Sequence, residues 1–116
     1  MKKTYEGIKI SSGNSFVHET ESQVILNGSY NINFTMDLVQ KDMNLFNELS
    51  KKLNTPLEIS PFVLDIFKDA KKKYGPRAWS SMVVKRLEDK FGLDFRSEGF
   101  PVELIDDEKE EKGYEI

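Results

Sequence analysis

The sequence predicts an all-α domain of several helices with an extended carboxy-terminal tail. Three observations carry that prediction. The stretch FTMDLVQKDMNLFNELSKKL, Phe34 to Leu53, gathers its apolar residues on one helical arc; two later segments repeat apolar residues every three or four positions; and their ends carry start and stop residues.

The opening MKKTYEGIKI offers Tyr5, Ile8 and Ile10 for burial and reads as the last turns of a helix. SSGNS is a turn in which Gly13 supplies backbone freedom and Ser15 is placed to cap the next helix. Phe16, Val17, Thr20, Val24 and Ile25 then recur at helical spacing, giving a helix to about Leu26. NGSYNIN stops it. Strand-like flanks on either side of Asn27-Gly28 leave a two-stranded hairpin as the local alternative, but the strong helix downstream favours a helical connection.

The Phe34–Leu53 stretch is the expected central helix. At steps of about 100°, Met36, Leu38, Val39, Met43, Leu45, Phe46, Leu49 and Leu53 fall in an arc of roughly 200°. Asp37, Gln40, Asn44, Asn47, Glu48 and Lys51 take the narrow remainder, which should face water. Asp42 lands inside the apolar arc and Lys41 at its edge beside Phe34 and Leu45. A carboxylate buried in such an arc needs hydrogen bonds or a counter-charge, so Asp42 is expected to be a buried structural group.

After the two-proline turn LNTPLEISP, Ser60 is expected to cap and Pro61 to open a helix bearing Phe62, Val63, Ile66, Phe67, Ala70 and Tyr74, closed by Gly75-Pro76. Its lysines cluster in the last turns, where the helix dipole favours cations. A further helix from Trp79 to Phe91 presents Trp79, Met82, Val83, Leu87 and Phe91 and ends at Gly92. Phe46, Leu49, Val63, Phe67, Trp79, Val83 and Leu87 are the expected main core contacts. Beyond Gly92 no helical period persists; Phe95, Phe100, Leu104 and Ile105 are expected to pin an extended strap. The division is a helical domain over 1–105 and an acidic tail over 106–116, with 106–112 solvated.

Composition narrows the function classes. The chain has 116 residues, no cysteine and a net charge of −3. Seven acids and two lysines from Glu103 onward account for −5 of it, which leaves about +2 on the rest. Neither value suggests a grip on a phosphate backbone, and the lysines of KKKY are offset by Asp65, Asp69 and the tail. Disulfides, thiolate metal sites and a cysteine nucleophile are excluded. No apolar run is long enough to span a membrane, and Lys2-Lys3 is not followed by a signal-type segment, so a cytoplasmic location is expected. His18 with Glu19 and Glu21 lacks the further ligands of a metal site, and Ser80 and Ser81 have no evident base and read as first-turn or capping groups. Neither GxGxxG nor GxxxxGK occurs.

Four pieces in order, SSGNSFVHETESQVILNGSY, FTMDLVQKDMNLF, LNTPLEISPFVLDIF and KKYGPRAWSSMVVKRLED, resemble the carboxy-terminal helical domain of the beta-hydroxyacid dehydrogenases. That group contains 3-hydroxyisobutyrate dehydrogenase and is similar to 6-phosphogluconate dehydrogenase. The resemblance covers about residues 5 to 91 and implies that Lys41 faces the cleft near cofactor and substrate, that Phe34 lines the same neighbourhood, and that Asp42 supports helix packing. It also implies NAD or NADP for the complete enzyme, no cofactor for this stretch alone, and a homodimer. The alternative for Lys41 is an ion pair with Asp37 one turn earlier, worth about 0.3 kcal/mol.

The family's Rossmann domain, Ser-Gly-Gly segment and catalytic-lysine helix have no counterpart in these residues, so no catalytic residue is assigned and the chain alone is expected to be inactive. Two classes follow: a cleft and dimerisation domain of an NAD(P)-dependent 3-hydroxyacid dehydrogenase, completed by a Rossmann partner in cis or in trans, or a non-catalytic helical interaction module. Neither class calls for nucleic acid or membrane.

Overall fold

The computed structural model describes residues 1–105, 109 and 113; the expectation for 106–112 therefore falls mostly outside the described residues. Among the described residues five α-helices follow one another: α1 Lys2–Lys9, α2 Phe16–Asn27, α3 Met36–Lys52, α4 Ile59–Tyr74 and α5 Lys85–Phe91, with a 3-10 turn, Ser80–Val83, between α4 and α5. Among the described residues the extended pairings are two isolated bridges, Asn31 with Glu103 and Thr35 with Trp79. The all-α expectation holds.

Local chemistry accounts for the boundaries. Ser15 Oγ accepts from the His18 amide at 3.0 Å, so α2 begins where a capping serine puts it. Gly28, at φ 93°, ends α2 in the left-handed region, and its amide returns to Val24 and Ile25; the Asn27-Gly28 pair is a helix stop, not a hairpin turn. Gly92, at φ 61°, closes α5 in the same way. The first amides of α3 are bound by the segment after α4: Met36 N–H donates to Ala78 O at 2.9 Å and Asp37 N–H to Pro76 O at 3.0 Å. Ser80 N–H donates to Phe34 O at 2.8 Å, which ties the 3-10 turn to the same corner.

Packing corrects the expected centre. α3 packs chiefly on α4, α1 on α2, and the 3-10 turn touches α2, α4 and α5, so the short Ser80–Val83 turn joins the two helical pairs. Val24, Leu26, Tyr30, Met36, Leu64 and Ala70 are the buried apolar residues. Ser80 and Ser81 are buried beside them, and Ser81 Oγ donates to Tyr30 O at 2.7 Å, so these serines do more than open a turn.

α3 is turned only in part as its apolar arc suggests: Met36 is buried and Leu38, Val39 and Met43 are half-buried, but the later residues of the arc face outward. Gln40, Asn44 and Asn47, expected in water, are half-buried along the flank facing α4, while Leu45, Phe46, Leu49 and Leu53 are 50% to 65% exposed. Met36 is the one buried residue of α3. The reason is geometric: the clamp at Met36 and Asp37, together with the short connection to an antiparallel α4, fixes which side of α3 meets α4. Asp42 turns outward with the exposed row, so its expected burial is overturned. Phe46, Leu49 and Leu87 are likewise exposed rather than core residues, whereas Val63, Phe67, Trp79 and Val83 are half-buried.

Two boundaries also differ. α4 starts at Ile59, with Glu58 at its N-cap position and no side-chain cap, so Ser60 lies within the first turn and Pro61 sits where no amide bond is owed. The Trp79–Phe91 segment is split into a 3-10 turn and a short α-helix, because Ser80 and Ser81 are drawn into the interior.

The strap is present. Ser97 N–H donates to Leu26 O, Asn27 Nδ2 to Phe100 O and Leu104 N–H to Asn31 O, at 3.0, 3.0 and 3.3 Å. Phe100 meets Tyr5 edge-on at 5.2 Å between ring centroids, and Phe95 is half-buried. Ile105 stays exposed and pins nothing.

Candidate functional site

Lys41 projects from the exposed side of α3. Its ammonium lies 2.9 Å from Asp42 Oδ1, and the two side chains are 60% and 54% exposed. Asp37, the alternative partner, is bound elsewhere: it accepts from the Thr35 hydroxyl, from the Leu38 amide at 3.1 Å and from Arg77 Nη1 at 3.4 Å. The Thr35 hydroxyl holds the Asp37 carboxyl below its ordinary value, burial opposes it, and Arg77 and the Leu38 amide add to the lowering.

Beside Lys41 is a depression of about 380 Å³ lined by Asp37, Gln40, Lys41, Asn44, Leu45 and Lys71. α3 supplies five of these residues and the last turns of α4 supply Lys71. Phe34 lies outside this lining; it precedes α3, is partly exposed, and offers its carbonyl to Ser80. Two further features went unread in the sequence. One is Lys71, hidden in a run of three lysines that the α4 dipole explains as a group without saying where each one points. The other is a groove of about 840 Å³ between α3 and the start of α4, lined by Asp42, Met43, Phe46, Pro56 to Ser60, and Val63.

His18 is absorbed by structure. Its Nε2 is 2.9 Å from the Tyr5 carbonyl, which can only accept, so the proton sits there and Nδ1 accepts from the Ser22 hydroxyl at 3.2 Å. The ring stacks on Tyr5 at 5.0 Å. Among the described residues no group of three His, Asp or Glu side chains is arranged to hold a metal ion, and no helix is long and apolar enough to cross a membrane.

A second polar cluster, centred on Glu88, is buried. Glu88 is 3% exposed; its carboxylate accepts from Tyr30 Oη, from Arg96 Nη1 at 2.7 Å and from the Phe95 amide at 3.1 Å. Burial pushes the Glu88 carboxyl up, but those three donors and the Arg96 charge outweigh it and hold the carboxyl below its ordinary value. Tyr30 is pushed up to about 12, by burial first and then by Glu88. All partners are satisfied, which makes the cluster a structural lock between the strap, α2 and α5 rather than a reactive centre.

What the fold and this surface define is an all-helical lobe carrying an open, lysine-flanked depression. The family described as the NAD-binding domain of NADP-dependent 3-hydroxyisobutyrate dehydrogenase matches residues 1–87, and the chain belongs to that family. No curated protein matches it. The match ends just before Glu88, so the depression lies inside it, whereas Arg96 and the strap lie beyond.

Proposed function

We propose that this chain is the cleft-forming and association lobe of an NAD(P)-dependent 3-hydroxyacid dehydrogenase, inactive until a Rossmann domain and its interdomain helix complete the cleft. NAD or NADP would then sit between the two lobes, with Lys41 and Phe34 on this side. The observation that carries the reading is the outward face of α3 within a family-matched chain. Lys41, Leu45, Leu49 and Leu53 follow one another at four-residue steps along that face, and Phe46 flanks them.

A row of large apolar residues ending in a lysine is the surface expected of a wall rather than of a free-standing bundle. The cofactor supplies the hydride-accepting ring; this chain's part is to exclude water with the apolar row and to hold a positive charge at Lys41 Nζ against a developing or resident anion.

The second reading, a non-catalytic homodimeric module, draws on the same apolar row, since a copy of the chain could cover it. The two separate on one experiment: NAD(P) reduction with 3-hydroxyisobutyrate, assayed for the chain alone and after adding a matched Rossmann and interdomain-helix fragment. The cleft reading expects turnover only in the mixture. Turnover by the chain alone refutes the incomplete-cleft account, and a stable homodimer indifferent to the added fragment favours the module.

A further inference from the structure

We infer that Lys71 and Lys41 together form a binding site for the oxyanion end of a small ligand, a carboxylate or a phosphate, in the depression between α3 and α4. The assignment deepens the cleft reading and rests on it for the ligand's role. The two lysines come from different helices and line one depression of about 380 Å³, with the side chains of Gln40 and Asn44 between them.

The three consecutive lysines of α4 separate in the structure. Lys73 is 2.7 Å from Asp89 Oδ2 and Lys72 stands in solvent, whereas Lys71 is half-buried and, among the described residues, has no carboxylate within 4.0 Å. Two ammonium groups on one depression repel each other, and an anion between them relieves that repulsion.

The carboxylates nearby do not fill that role. Asp37 lines the depression, but Thr35, Leu38 and Arg77 already engage its oxygens, and Arg77 neutralises it. Asp42 pairs with Lys41 across an exposed contact, the kind that contributes little and yields to a better-placed anion. Gln40 and Asn44 line the depression with side-chain amides, whose N–H groups are donors suited to an oxyanion. The volume suits an oxyanion with a few carbons and is small for a whole dinucleotide.

The test is an amide and side-chain amide NMR titration of the 116-residue chain with inorganic phosphate and, separately, with 3-hydroxyisobutyrate. Chloride holds the ionic strength constant. Saturable shifts confined to Gln40, Lys41, Asn44 and Lys71 are expected with at least one of the two anions. Tighter saturation by the hydroxy acid assigns the site to a substrate carboxylate, and tighter saturation by phosphate assigns it to a cofactor group.

Lys71→Gln should weaken the affinity roughly ten-fold, the worth of one charged hydrogen bond, while Lys71→Arg retains it and Lys72→Gln leaves it unchanged. Shifts that never saturate, that spread over all lysines, or that ignore Lys71→Gln overturn the inference. Because the titration reads the chain alone, a reconstituted mixture without turnover would sink the cleft reading and leave a positive titration standing. Turnover with a KM indifferent to Lys71→Gln would do the reverse.

Discussion

Arg96 donates from Nη1 to Glu88 at 2.7 Å and from Nη2 to the Tyr30 hydroxyl at 2.7 Å, so one guanidinium from the strap closes a buried pair contributed by α5 and the segment after α2. It also reaches the Ile25 carbonyl at 3.2 Å, one of the last carbonyls of α2. Removing it leaves a carboxylate that is 3% exposed without its counter-charge. Arg96→Leu should therefore cost roughly 2 to 4 kcal/mol in urea unfolding, the lower part of the range reflecting the partial exposure of Arg96. A change below about 0.5 kcal/mol, the scale of an ordinary surface substitution, would show that the strap is not locked by this contact.

Gly28 is the space in which that guanidinium lies. A Cβ built there would collide with Arg96 Nε, and the residue sits at φ 93°. Gly28→Ala thus combines a strained backbone with displacement of Arg96, and a loss of about 1 to 3 kcal/mol is expected. In Arg96→Leu the same substitution should cost less, a coupling that a double-mutant cycle measures.

The cluster also sets a pH profile. Glu88 is held below its ordinary value when folded, so its contribution is complete above the unfolded carboxyl pKa of about 4.3 and is lost as pH falls through the lower folded value. Tyr30 is raised to about 12, so its contribution is complete below the unfolded value of about 10 and is lost between there and pH 12. Asp37 and Asp89, also held low, add to the acid limb, Asp89 chiefly through Lys73 and Tyr74. Denaturant melts across pH should therefore show a shallower alkaline fall in Tyr30→Phe and a shallower acid fall in Glu88→Gln. Unchanged limbs in both variants would remove the cluster from the account.

Much of this architecture is legible in the sequence because it rests on local signals. Ser15, Gly28 and Gly92 act at the positions where capping chemistry places them, and the family segments name the fold. Three things are not legible. The rotation of α3 is set by contacts of Met36 and Asp37 with residues 76–78, some 40 positions away, and an apolar arc reports which residues avoid water but not what covers them. The Glu88–Arg96–Tyr30 cluster joins residues up to 66 apart, and a lone glutamate in a helix reads as a surface group. Lys71 is indistinguishable in sequence from Lys72 and Lys73.

The corrected orientation reverses the expectation for Asp42. Because it is exposed and pairs with its chain neighbour, Asp42→Leu should change the stability of the isolated chain by less than about 0.5 kcal/mol. A loss of 1 to 3 kcal/mol, the cost of unpaired buried donors, would restore the buried placement.

The exposed row makes a similar separation between folding and association. Leu49→Lys, with Leu49 half in solvent, should leave the chain's melting free energy within about 0.5 kcal/mol. It should, however, weaken binding to a Rossmann and interdomain-helix fragment, or self-association, by ten-fold or more, as expected for an apolar anchor replaced by a charge. Sedimentation equilibrium reads both effects. Equal association by the wild type and by Leu49→Lys would show that the row is not the docking face.

The central proposal is that Lys41 lines a dehydrogenase cleft whose other wall is a Rossmann domain. The direct measurement is the rate of NAD(P) reduction by 3-hydroxyisobutyrate in the reconstituted mixture, comparing wild type, Lys41→Ala and the outward-facing control Lys52→Ala. The account predicts turnover in the wild type and in Lys52→Ala, and a fall of at least ten-fold in kcat/KM for Lys41→Ala with its helicity and association intact, about 1.4 kcal/mol of lost transition-state stabilisation. Turnover equal in all three would leave Lys41 a surface ion-pair residue and contradict the claim.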